Sequence, residues 1–386
     1  MNLALSDEQE FLREAARGAL SRHKTVEAAR EALDSDQSAL PDLWATAREA
    51  GWPGLLIDEA HGGAGLDAFD AMLVLSECGR VLAGVPLLGH LPATAILADG
   101  ASGPGPAEFL PDLASGERRA AYLPAQPPSD VLERWSGDPA SGLERAELPR
   151  AGASGEDWRV PVSGTVAFVP DAPGADVLVG IALSDVTGGP IGFAVQADAP
   201  GVKIEPVMRY DVTRSLGHVT LDEASAIVLD CPIESLAGAW YLAQALIAAE
   251  SLGSVETALD VSVAYAKERF TFGRAIGSYQ AVKHSLTEVL RQLENGRSLL
   301  YYAGWARNGA PAEFPLAASA ARSVAGRALD TASRTMISVH GGIGATWEHD
   351  APLYFRRAQL SRRLLGGTGG ATDRVAGELL AQADAA

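Results

Sequence analysis

Apolar positions recur along this chain in three different patterns. Up to about residue 115 the spacing is helical: Leu5, Leu12, Ala16 and Leu20 share a face behind a Ser6-x-x-Gln9 capping box. A second helical pattern covers residues 41–52. A loop carrying Gly62, Gly63 and Gly65 then leads into an apolar helix, and these glycines suit either a tight connection or a ligand contact. From about 116 to 232, Gly, Pro and Asp punctuate short runs rich in Val, Ile and Phe. The runs at 158–172, 175–183, 192–197, 202–207 and 217–229 predict strands of a small antiparallel sheet or barrel. Residues 126–155, dense in Pro, Gly, Ser and Asp, predict an irregular connection. Beyond 233 the helical period returns in three long stretches, 237–267, 280–307 and 315–340, long enough to pack side by side. The expectation is an α+β fold of three domains: a helical one (1–115), a β domain (116–232) and a four-helix bundle (233–386).

Composition narrows the function classes. No run of about 18 apolar residues is present to span a membrane. The N-terminal residues lack the basic region, apolar core and cleavage site of a secretory signal, so the cytoplasm is the expected location. A formal net charge of −18 argues against nucleic acid, whose phosphates need clustered cations. The two cysteines, Cys78 and Cys231, have neither metal-site nor redox spacing and read as reduced, packed thiols.

Two segments carry candidate chemistry. In residues 265–284, Arg269 ends a long helical pattern, Phe272-Gly273 form a turn, and Ile276-Gly277 lead to Gln280 at the start of the next helix. A guanidinium offers a planar fork for phosphate oxygens, and a helix start offers unpaired N–H groups. The same residues also suit an ordinary helical corner with a solvated Arg. In residues 338–358, Gly341, Gly342 and Gly344 end a helix and let the backbone approach a ligand. His340, His349, Glu348 and Asp350 lie nearby, but the glycines break the helix that would put two histidines on one face, so no metal is expected.

Taken together, Arg269-x-x-Phe272-Gly273-x-x-Ile276-Gly277-x-x-Gln280 and His340-Gly341-Gly342-Ile343-Gly344 resemble the C-terminal domain of the acyl-CoA dehydrogenase family, and the α–β–α order is similar too. The resemblance implies an FAD-dependent enzyme that removes a proton from the α-carbon of an acyl-CoA thioester while hydride leaves the β-carbon. It implies that Arg269, Phe272, Gly273, Gln280, Gly341, Gly342 and Gly344 hold the adenosine and pyrophosphate end of an FAD whose ring sits largely in a neighbouring subunit. Ser338 stands where the family usually has Gln, and its shorter side chain implies one weakened cofactor hydrogen bond without loss of the site.

The catalytic half of the pattern is missing. The family's usual glutamate position matches Gly366 in Leu365-Gly366-Gly367-Thr368, and an alternative position on the first long bundle helix matches Ala243. Neither side chain accepts a proton, so no catalytic residue is assigned. The flavin-facing Thr-Glu-Pro loop is replaced by Ala121-Tyr122-Leu123-Pro124. Glu250 lies two turns beyond Ala243, about 10 Å along the helix, and reads as a buried or interface group rather than a base. These one-sided losses resemble the non-catalytic subunit of heteromeric α2β2 acyl-CoA dehydrogenases of steroid side-chain breakdown. The expected partner is a homologous subunit that supplies the Glu. The alternatives are a self-associating, self-sufficient acyl-CoA dehydrogenase with a displaced base, and a flavin-free scaffold of the same fold.

Overall fold

A computed structural model describes residues 4–33, 40–100, 106–124, 148–153, 158–208 and 210–384; most of the connection read at 126–155 lies outside the described residues. Six helices come first: α1 (Asp7–Ser21), α2 (Thr25–Glu31), α3 (Trp44–Glu49), α4 (Ala68–Arg80), α5 (Leu87–Asp99) and α6 (Pro106–Ser115). The capping box that opens α1 is formed, with the Ser6 hydroxyl accepting from Gln9 N and the Gln9 side chain accepting from Ser6 N. The Gly62–Gly65 loop is a tight connection. A Cβ on Gly63 would fall 2.0 Å from the Ile57 carbonyl, and Gly62 and Gly65 take φ of 84° and 60°.

Seven strands follow: β1 (Ala120–Tyr122), β2 (Arg150–Ala151), β3 (Arg159–Pro170), β4 (Val177–Ser184), β5 (Pro190–Gln196), β6 (Val202–Pro206) and β7 (Leu216–Leu229). The order β4-β2-β3-β7-β5 returns to β4, so the sheet closes into a barrel, with β6 added on β7 and β1 on β4. The sheet is mixed, not purely antiparallel. β1 and β2 run parallel to β4 along the same edge. Val162, Leu178, Phe193 and Val219 fill the barrel interior.

The third region holds α7 (Ile233–Glu268), the two-residue strands β8 (Phe270–Thr271) and β9 (Arg274–Ala275), α8 (Gln280–Gly309), α9 (Phe314–His340), α10 (Ala351–Ser361) and α11 (Gly367–Asp384). Helix α7 is buried around its whole circumference from Ala239 to Val255 because α4, α5, α8, α9 and α10 surround it. Two glycines bring it close to α4. A Cβ on Gly79 would meet the Glu250 carbonyl at 1.9 Å, and one on Gly253 would meet the Ser76 carbonyl at 1.9 Å. This crossing fixes α7, and with it both of its ends, against the first domain. No described helix is long and apolar enough to cross a membrane.

Candidate functional site

The chain leaving α7 turns sharply. Strands β8 and β9 form a hairpin whose two turn residues, Phe272 and Gly273, take φ of 49° and 78°. A two-residue hairpin of type I′ needs positive φ at both positions; glycine adopts it freely and phenylalanine at a cost. Phe272 is 94% exposed and its neighbour Phe270 is largely exposed as well. The hairpin is braced from behind: Ile276 N donates to the Arg269 carbonyl at 2.8 Å, the Tyr279 hydroxyl donates to the Thr271 carbonyl at 3.2 Å, and Arg274 lies 3.9 Å over the Tyr279 ring. Gly277 is required by close approach, since a Cβ there would sit 2.9 Å from the Ala266 carbonyl. Helix α8, 30 residues long, then starts at Gln280 with no side-chain cap on its first N–H groups, of which Val282 N donates to the Tyr279 carbonyl at 3.2 Å. The Arg269 and Gln280 side chains are exposed on the same corner.

The glycine turn meets this corner. His340, the last residue of α9, packs its ring 4.3 Å from that of Tyr265, one turn before the end of α7. On its other side the His349 ring lies at 4.1 Å. His340 Nδ1 donates to the Met336 carbonyl at 2.7 Å, and Ala351 N donates to His349 Nδ1 at 3.1 Å. Burial and the neighbouring His340 ring hold the His349 pKa below the ordinary histidine value. The rings of Tyr265, His340 and His349 form one stack, and nothing in the spacing of the motifs marks Tyr265 as its third member. Gly341 has φ 64° and ψ −136°, a conformation restricted to glycine, and Gly341 and Gly342 have open space where a Cβ would stand. Gly344 differs: it is buried, with a Cβ position 2.7 Å from the Ile337 carbonyl, so it serves packing. Ahead of α10, Trp347 stacks on the Arg356 guanidinium, which also lies over Tyr210 of the β domain (4.6 and 4.5 Å).

Those features fit a dinucleotide. An exposed guanidinium, an uncapped helix start and two exposed glycines with bare Cα atoms face solvent together, and all three suit phosphate oxygens and a close backbone approach.

The two candidate base positions lie elsewhere, and they lie together. Gln244 Nε2 donates to the Leu365 carbonyl at 2.6 Å, which places Ala243 and Gly366 on neighbouring residues of one buried contact. From Gln244 to Arg269 is some 25 residues along α7, roughly 37 Å at 1.5 Å per residue. The 365–367 turn has three successive positive φ values: 52°, 80° and 72°. Ala121, Tyr122 and Leu123, in place of the family's flavin-facing loop, are buried in or beside β1.

Glu250 is committed to a buried ion network. It accepts from Arg214 Nη2 and, at 2.8 Å, from Arg357 Nη1; Arg357 Nε donates to Asp211 at 2.6 Å, and the Thr213 hydroxyl donates to Asp211 at 2.6 Å. All five side chains are buried. Burial pushes the Asp211 carboxyl up, but the Arg357 and Arg214 charges more than offset this and leave it below the ordinary range. Burial likewise opposes charge on Arg357, and Asp211 and Glu250 together raise its pKa. The network joins α7 and α10 to the β6–β7 loop, tying the bundle to the barrel.

Sequence comparison matches residues 6–117 to the acyl-CoA dehydrogenase N-terminal domain and residues 239–380 to the acyl-CoA dehydrogenase C-terminal domain. Among characterised relatives, the acyl-CoA dehydrogenase IpdE2 of Mycolicibacterium smegmatis is 30% identical, over 94% of this chain and 96% of the relative. Among solved structures, a single-residue variant of the Tcur3481-Tcur3483 steroid ACAD superposes with a TM-score of 0.84 at 29% identity, over 98% of this chain and 99% of the other. The ChsE4-ChsE5 complex from Mycobacterium tuberculosis gives 0.83 at 25% identity, with coverage of 98% and 99%.

Proposed function

The chain belongs to the acyl-CoA dehydrogenase family of FAD-dependent oxidoreductases, and on that premise we propose that it is the non-catalytic subunit of a heteromeric enzyme. In this reading a homologous partner supplies the glutamate base and the acyl-CoA pocket. This chain supplies the adenosine and pyrophosphate half-site for the partner's FAD, through Arg269, Phe272, Gly273, Gln280, Gly341 and Gly342, with the buried Gly344 packing the turn. The FAD, when bound, is the hydride acceptor. This chain's residues orient it and shield its phosphates: Arg269 and the α8 start offer cationic and N–H contacts, and the bare glycine turn lets the backbone come close.

The observation that carries the reading is the length of α7. The phosphate-binding corner stands at its C-terminal end and the emptied base positions lie about three turns in from its start, roughly 37 Å apart, so one dinucleotide does not reach both. Each end therefore serves a different flavin, and here only the distal end is equipped. The names of the Tcur3481-Tcur3483 and ChsE4-ChsE5 structures, one a steroid enzyme and one a complex, support a heteromer and point to a steroid-derived acyl group. The self-sufficient alternative loses its candidate base, because Glu250 already accepts from two buried guanidiniums.

Co-purification with a carboxylate-bearing homologue tests the proposal. The lone chain is expected to carry little flavin and to leave acyl-CoA unchanged, while the complex is yellow and active. A lone chain whose own bound flavin is bleached by acyl-CoA would overturn it. A complex without a flavin absorbance band would leave only the scaffold reading.

A further inference from the structure

The glycine turn is closed by the two histidines that flank it. His340 stands just before Gly341 and His349 shortly before α10, and their rings meet at 4.1 Å with planes tilted by 43°. On the far side of His340 lies Tyr265 of α7, at 4.3 Å and tilted by 32°. Gly344 rests on the same histidine, since a Cβ there would fall 2.8 Å from the His340 Cβ. Within the turn, Gly344 N donates to the Gly341 carbonyl at 3.1 Å and Thr346 N to the Ile343 carbonyl at 3.0 Å. His349 N ends the series by donating to the Thr346 carbonyl at 3.3 Å. The contact between the two rings therefore joins the beginning of this segment to its end.

One ring of the pair takes a proton only by breaking a bond. Ala351 N, at the start of α10, donates to His349 Nδ1 at 3.1 Å, so the neutral ring carries its hydrogen on Nε2. A further proton must enter at Nδ1, where it turns the acceptor of that N–H into a competing donor. The charges around the ring also oppose it. His340 from α9 and Arg30 from α2 both disfavour a positive His349, while Asp350 favours one but is itself paired with Arg30. The amino end of α10 adds partial positive charge at the same place.

We infer that His349 is a positioning residue for the glycine turn and holds it closed only while its ring is neutral. A proton on Nδ1 drives the ring out of the stack, and the Ala351 N–H loses its partner. The segment between the two histidines then loses the contact that joins its ends. Gly341 and Gly342, with open space at their Cα atoms, lose the fixed backbone that a close phosphate approach requires. The latch rests on these contacts alone, whereas its bearing on flavin rests on the half-site reading above.

The test follows the isotope-labelled full-length chain by NMR and hydrogen exchange between about pH 7.5 and about pH 5. At the upper end His349 is expected as the Nε2–H tautomer. As pH falls, the amide signals of Gly341, Gly342, Gly344 and Ala351 are expected to shift together, with one midpoint below 6.5. Exchange of this segment, corrected for its intrinsic pH dependence, is expected to rise about tenfold. His349→Asn keeps an acceptor near the Nδ1 position but does not titrate, so its turn is expected to stay closed across the range. If that variant does not fold, the tautomer and the coupled titration of the wild-type chain decide. A hydrogen on Nδ1 at neutral pH, or turn amides that stay fixed while His349 titrates, overturns the inference. In the assembled enzyme FAD is expected to be released with the same midpoint. Flavin retained while the turn opens would leave the latch standing and count against the half-site instead.

Discussion

Replacing Glu250 with Gln separates a structural carboxylate from a catalytic one. In the folded chain Glu250 neutralises Arg214 and Arg357 in a site from which water is excluded. Glu250→Gln leaves two buried guanidiniums with Asp211 as the remaining carboxylate of the network. Removing one member of a buried ion pair costs about 3–5 kcal/mol, and the retained amide oxygen puts this variant near the lower figure. With a urea slope of about 3 kcal/mol/M, the midpoint of the unfolding transition falls by roughly 1 M. The measurement is urea denaturation followed by tryptophan fluorescence, beside turnover of the assembled complex under conditions where both forms are folded. Arg357→Met made in both backgrounds completes a double-mutant cycle, with a coupling of at least about 1 kcal/mol. Turnover of folded complex is expected to stay within about twofold of wild type. An unchanged urea midpoint with abolished turnover would refute the structural role and restore Glu250 as a base.

Three further outcomes follow from the geometry. Phe272→Ser removes a ring that is 94% exposed, so the lone chain's stability is expected to change by less than about 0.5 kcal/mol. Assembly with the partner is expected to weaken more than tenfold, as for a lost interface anchor, measured by sedimentation or interferometry. His90 is buried and neutral, its Nε2–H donating to the Pro53 carbonyl at 3.2 Å and its Nδ1 accepting from Ala120 N at 3.1 Å, and burial pushes its pKa down to about 4. The native state therefore binds fewer protons than the unfolded chain between about 4 and 6.5. Stability conferred by the neutral ring is full above 6.5 and falls by about 3 kcal/mol as pH drops through that window; His90→Asn is expected to remove this component of the pH profile. Gly366→Glu returns a carboxylate to the vacated position, but at φ 80° an L-residue costs about 1–2 kcal/mol, and Arg322 and Gln244 grip the flanking carbonyls. The lone variant is expected to show no dehydrogenation, and measurable turnover would contradict the account of the turn.

Much of the architecture was legible because α7, α8 and α9 carry long proline-free helical patterns and the barrel strands alternate between turn signals. Helix α2 is only seven residues long, and α5 and α6 contain Pro92 and Pro111, so tertiary packing rather than local pattern defines them. The parallel pairing of β1 and β2 with β4 escaped notice because strand direction leaves no mark on short apolar runs. At the corner of α7 the motifs named the residues, but only the Tyr265–His340 contact reveals that residues about 75 positions apart share one end of the bundle. The ion network was invisible for the same reason. Arg214 and Glu250 are 36 residues apart and Asp211 and Arg357 are 146 apart, and an isolated Arg in a sequence reads as solvated.

The span of α7 also bears on how such a chain changes over generations. Substitutions near Ala243 and Gly366 are insulated from the Arg269 corner by some seven turns of rigid helix. Drift at one end therefore leaves the geometry of the other untouched. After duplication of an ancestral gene, a copy could shed its proton-abstracting apparatus in a single step and still remain indispensable to its sibling.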